Sequence, residues 1–214
     1  MSPAARLNAF VASVTVTVMF IVITRIVPVI VPLASKWQVA SAVLALLTSA
    51  GIYRLLALGV HWLLNRSALA RKLVFGPSYL HGTWVGYFIG HAGDKRYSIQ
   101  HMEQDLDGTV ISGRSYTATQ AAHANWTSDS VNIDARRRRV TFTYVMNIGT
   151  RNVTVEGITT IQLQRSAPHR SADALAGYAH DLNDLQRIHI QEIKVSDQLL
   201  AWDQALQEAI RRFP

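Results

Sequence analysis

No cysteine occurs in the 214 residues, which excludes a disulfide framework, a thiolate metal site and a cysteine nucleophile. That absence is compatible with a reducing compartment. Acidic residues are missing from the whole first part of the chain, since the first is Asp94. Before it stand Arg6, Arg25, Lys36, Arg54, Arg66, Arg71 and Lys72, seven positive charges against none. After it, fourteen Lys/Arg face fourteen Asp/Glu, so the formal charge of +7 belongs entirely to residues 1–93. Placed beside apolar segments, that excess is a membrane-topology signal and not the basic face of a protein that binds DNA or RNA polymers. Motifs of chemistry are scarce too. Eight histidines form no H-x-x-x-H pair, and there is no P-loop, G-x-S-x-G or G-x-G-x-x-G. The expectation is a non-enzyme with no metal site, no cofactor and no catalytic residue.

Two long apolar runs occupy the N-terminal part. Residues 7–23 carry no charge and continue after Arg25 as "IVPVIVPLA"; the second run covers 39–64. About 20 apolar residues span a bilayer, so the pattern predicts two transmembrane helices within 1–72. The first is too long for a secretory leader and is followed by a second. Arg6 and the Arg66/Arg71/Lys72 group flank the outer ends, with only Lys36 between the runs. The positive-inside rule then predicts a multi-pass inner-membrane protein with both termini, and all of 73–214, in the cytoplasm. Arg25 has no acidic partner in this part of the chain, and either snorkels to lipid headgroups or lines a pore made by self-association. Ser41, Ala45 and Ser49 form a small-xxx-small stripe that lets helices approach closely.

Beyond Gly76-Pro77 the pattern turns into short alternating runs bounded by turn residues. It predicts strands at 82–90, 96–104, 109–118, 122–134, 138–147, 152–165, 176–182 and 187–195. Trp84, Gly86 and Phe88 share one face, and Val140, Phe142, Tyr144 and Met146 share another. Consecutive hairpins with one apolar face close most simply into an eight-stranded up-and-down barrel with room for one small ligand. The opening Gly82-Thr83-Trp84 is similar to the Gly-x-Trp with which lipocalin-like barrels begin. A C-terminal helix is predicted at 197–213, capped by Ser196 or Asp197, its Leu199/Trp202/Leu206/Ile210/Phe213 stripe packing on the barrel.

"ARRRRV" at 135–140 reads as a solvated hairpin corner and not a nucleic-acid tract. Asn125-Trp126-Thr127 and Asn152-Val153-Thr154 match the glycosylation sequon, which a cytoplasmic domain would not use. His101 reads as a hydrogen-bonded barrel histidine. Arg114 and Tyr116 share a face on the third predicted strand. If that face points inward, a guanidinium and an aromatic ring, joined by Tyr97 and Tyr144, form a lining suited to phosphate and a stacked base.

The layout of two apolar N-terminal segments, a short basic linker and a small β-barrel resembles the CBASS antiphage effectors of the SMODS-associating two-transmembrane, β-strand-rich family. "LHGTWVGYF" and "LAGYAHDLNDLQRIHIQEIKV" carry most of the likeness. The resemblance implies a barrel that binds a cyclic dinucleotide, after which the protein oligomerises and its membrane helices disrupt the inner membrane. A membrane-anchored lipocalin-like carrier of a lipid or other apolar ligand, and a barrel that docks proteins, are the alternatives.

Overall fold

The computed structural model describes residues 3–21, 24–25, 51–62, 66–90, 92–105, 108–149, 153–167, 169–182 and 186–214. The chain divides into two units, Met1–Val74 and Phe75–Pro214.

The first unit contains the helix Pro3–Ile21 and a helical stretch at 51–62. Among the described residues no helix is long and apolar enough to cross a membrane. This overturns the two transmembrane helices and, with them, the multi-pass inner-membrane location and its cytoplasmic barrel. The reason lies in length and in polar content. A helix rises about 1.5 Å per residue, so the uncharged part of the first helix, residues 7–21, covers roughly 22 Å of a hydrocarbon layer about 30 Å thick. Asn8 interrupts even that part. Arg25 is exposed; Ser41, Ala45 and Ser49 lie outside the described residues.

The second unit is a closed antiparallel barrel in the order β1-β2-β3-β4-β5-β6-β7-β8. The strands are β1 Gly82–Ile89, β2 Lys95–Gln104, β3 Thr109–Thr117, β4 Ala122–Asp134, β5 Arg139–Ile148, β6 Val153–Gln164, β7 Ala174–Asp181 and β8 Arg187–Ser196. Each boundary lies within two residues of the one the alternation predicts. Closure comes from pairing of β1 with β8, Trp84 opposite Lys194 and Gly86 opposite Glu192. The "ARRRRV" segment is indeed a hairpin corner. Asp134 Oδ1 accepts the amides of Arg136 and Arg137, and Arg138 takes a positive φ of 54°.

Apolar side chains fill the half of the barrel where β1 begins. Trp84, Met102, Ile111, Phe142, Ile161 and Leu175 make one buried cluster under Leu80. The chain at 78–81 stoppers that end: the Trp84 indole donates to Leu80 O at 2.8 Å, while the Gln104 amide accepts from Leu80 N and donates to Ser78 O, both at 2.9 Å. The Gly-x-Trp signature therefore marks a plugged floor.

A second cluster lies outside the barrel wall. Val85, Tyr97, Ile99 and Tyr116 face outward and are covered by Ala205, Leu206 and Ala209 of the C-terminal helix. That helix spans Trp202–Arg212, starting later than 197, and no side chain caps it. Thr83 accounts for the delay. Its hydroxyl donates to Gln198 O at 2.7 Å and accepts from Leu200 N at 2.9 Å, holding the chain against β1 before the helix begins.

Candidate functional site: a cavity at the hairpin end

The other half of the barrel is less tightly filled. A cavity of ≈ 60 Å³ is lined by Phe88, Ser98, Gln100, Trp126, Tyr144, Met146, Thr159, Ala179, Asp181, Ile188 and Ile190. These residues come from β1, β2, β4, β5, β6, β7 and β8, so the closed wall itself builds the site. Trp126, Phe88, Met146 and the isoleucines make it mainly apolar, with a few polar groups on the wall.

Two rows of residues across adjacent strands set the polar groups, each using a glycine in the middle strand. In one row β8 Glu192, β1 Gly86 and β2 Ser98 lie side by side. The Glu192 side chain crosses Gly86, where a Cβ would stand 2.7 Å from its Cγ, and its Oε1 accepts from Ser98 Oγ at 2.7 Å and Gln100 Nε2 at 3.0 Å. In the other row β5 Tyr144, β6 Gly157 and β7 Asp181 are neighbours. The tyrosine ring lies over Gly157 and its hydroxyl donates to Asp181 Oδ1 at 2.5 Å. A side chain at either glycine would occupy the crossing group's place.

Glu192 is 1% exposed and Gln100 is 2% exposed. Glu192 Oε2 and Gln100 Oε1 have no hydrogen-bond partner among the described residues. Burial pushes the Glu192 carboxyl up to about 7, against the opposing pull of the Ser98 and Gln100 hydrogen bonds. The Tyr144 phenol is also pushed up, first by burial and then by the Asp181 carboxylate it faces. Among the described residues no group of three or more His, Cys, Asp or Glu side chains is arranged to hold a metal ion.

Of the four residues predicted to line the lumen, only Tyr144 does so. Tyr97 and Tyr116 pair with each other on the outer face beneath the C-terminal helix. Arg114 is exposed on that same side, its guanidinium 4.5 Å from the centre of the Trp202 ring. His101 also stacks on the Trp202 ring, with the ring centres 4.0 Å apart. Its burial depresses the imidazole pKa. The inward face of β3 is instead Ile111, Gly113 and Ser115, with the Trp126 indole lying on Gly113. Alternation alone does not choose between the two faces of β3, because each carries apolar and polar residues. Covering by the C-terminal helix chooses. Ser98, Gln100 and Glu192 escape sequence reasoning because they are polar residues on inward faces of β2 and β8; Gly86, between Trp84 and Phe88, is the signal that a neighbour's side chain crosses there.

Fold and site together define a closed eight-stranded barrel with a plugged floor and a small, acid-bearing cavity. No protein-family model and no curated protein matches the sequence. Among solved structures, the chain is similar to a de novo designed fluorescence-activating β-barrel, at 13% identity and a TM-score of 0.37, over 56% of this chain and 96% of that one. A likeness that low carries no argument about what the chain does.

Proposed function

We propose that the barrel is a binding module for one compact, largely apolar small molecule, held in the cavity at the hairpin end. The observation that carries this reading is the cavity itself. Its ≈ 60 Å³ is lined by aromatic and aliphatic side chains with a few placed polar groups, the usual character of a ligand site. The space is smaller than the roughly 150 Å³ of an engineered cavity that takes benzene, so the bound group is small or leaves part of itself at the mouth. An acyl chain finds no length here, since Trp84, Met102, Ile111 and Phe142 fill the other half.

A cyclic dinucleotide, the signal implied by the resemblance to CBASS effectors, is the second reading. What supports it is the exposed Arg114 guanidinium over Trp202, which offers a charge and a ring on the outer face. The lumen speaks against a nucleotide inside the barrel, because its lining includes Asp181 and no Lys, Arg or His.

Thermal unfolding of the full chain with a panel of compact apolar molecules and of cyclic di- and trinucleotides tests both. Ligand at about 100 times its dissociation constant adds roughly 2.7 kcal/mol. Stabilisation by the compact molecules, lost in Ala179→Phe, is the expected result. Stabilisation by cyclic nucleotides alone, lost in Arg114→Ala, would replace the first reading with the second. No shift from either set would sink both.

A further inference from the structure

We infer that the cavity selects a flat aromatic ring, inserted from the mouth between the faces of Trp126 and Tyr144 and the opposite wall of Ile188, Ile190 and Phe88. The inference rests on the reading of the lumen as a ligand site and goes beyond it by naming the ligand's shape and chemical class.

Two inward glycines open the space. Trp126 on β4 lies across Gly113 on β3, and Tyr144 on β5 lies across Gly157 on β6. Strands β3 and β6 flank the β4–β5 pair on opposite sides, so the two rings lean apart and leave a gap between them. A Cβ on Gly113 would collide first with Cε2 of Trp126, a ring-fusion carbon, so the indole meets the glycine with its face and not its edge. Trp126 points inward and is only half-buried; with one face against Gly113, the surface it still exposes is turned to the lumen. The Tyr144 ring is held in place by the bond from its hydroxyl to Asp181. Both rings are therefore positioned before a ligand arrives, which spares the cost of ordering them on binding.

The far wall comes from β8 and β1, each four strands away from β4 and β5 in the closed order. It contributes Ile188, Ile190 and Phe88. Met146 stands opposite Trp126 in the β4–β5 register and lines the same space. An aromatic face is negative and an aromatic edge positive, so Trp126 and Tyr144 favour a ligand ring that arrives edge-on or offset. The thioether of Met146 also makes favourable contacts with rings. A saturated ring brings no positive edge and is thicker because it puckers. In a space of ≈ 60 Å³ the thin body has the advantage.

The test uses the full chain with benzene, toluene and cyclopentane. Cyclopentane lies between the two aromatic molecules in volume, so an order set by size alone places it between them. Each is titrated while the methyl resonances of Ile188 and Ile190 are followed by NMR, in the wild type and in Trp126→Leu. The expected result is that both aromatic molecules bind the wild type at least about threefold more tightly than cyclopentane, and that this lead falls below threefold in Trp126→Leu. A lead below threefold for either aromatic molecule in the wild type, or one that stays above it in Trp126→Leu, overturns the aromatic inference while the lumen remains a ligand site. If none of the three moves the isoleucine methyls, the lumen reading falls and takes the inference with it. Should Trp126→Leu not fold, the wild-type order decides alone.

Discussion

Replacing Glu192 with glutamine changes one atom in the barrel wall and removes the titration of that side chain. In the folded protein burial raises the carboxyl from an ordinary 4.5 to about 7. A shift of that size corresponds to roughly 3 kcal/mol between the two protonation states. The sign follows from the raised value: the folded state holds the proton more tightly than the unfolded chain does. The stability this group contributes is complete below about pH 4.5, declines as pH rises toward 7, and is lost above it. The glutamine has no such loss. The difference in unfolding free energy between variant and wild type should therefore climb by roughly 3 kcal/mol, in the variant's favour, from pH 4 to pH 8. Groups common to both proteins cancel. His101, held neutral by burial, lowers stability as pH falls below about 6.5, and Asp94 and Asp134, both with lowered pKa values, act at still lower pH. Urea unfolding followed by tryptophan fluorescence at five or so pH values gives both curves. Parallel curves would refute the buried, proton-holding Glu192 and weaken every argument built on it.

Gly157→Ala should destabilise the barrel by about 1–3 kcal/mol, because the new methyl occupies the space of the Tyr144 ring; chemical denaturation measures it, and a neutral effect would contradict the crossing geometry. Tyr144→Phe removes the donor to Asp181 while keeping the ring, and should cost about 1.5–3 kcal/mol by the same assay. Thr83→Val breaks two hydrogen bonds to the chain before the C-terminal helix, for about 1–2 kcal/mol, and should raise amide exchange first at Leu200 and in the first turn of that helix. Trp202→Ala uncovers His101 and Arg114 and should bring the His101 pKa back toward 6.5, read by NMR titration of its ring; an unchanged value would mean that the stacked indole does not desolvate it.

The strands were legible in the sequence because alternation, turn residues and strand length agree along 82–196, and closure follows once eight consecutive hairpin-linked strands each have one apolar face. Two kinds of information were not local. Where both faces of a strand are mixed, as in β2 and β3, the inward face depends on what covers the other, and the cover is a helix about a hundred residues away in sequence. Tyr97, Arg114 and Tyr116 therefore look like lining and are wall. The apolar runs at the N-terminus were read by composition alone, so Arg6 and Asn8, which both fall inside the helix Pro3–Ile21, were given too little weight. The site was hidden for a different reason. Its polar groups occupy positions that binary patterning assigns to apolar residues, and a polar residue on an inward face is read as a weak strand, not as a functional one. What makes those positions tenable is the glycine on the adjacent strand. Gly86 lets Glu192 reach Ser98, and Gly157 lets Tyr144 reach Asp181, so each glycine turns a mismatch in one strand into a hydrogen bond across three. Such a row becomes visible only when register is known. In a barrel the useful unit of inspection is thus the row across neighbouring strands, where an inward glycine flanked by two polar residues marks a built interior site.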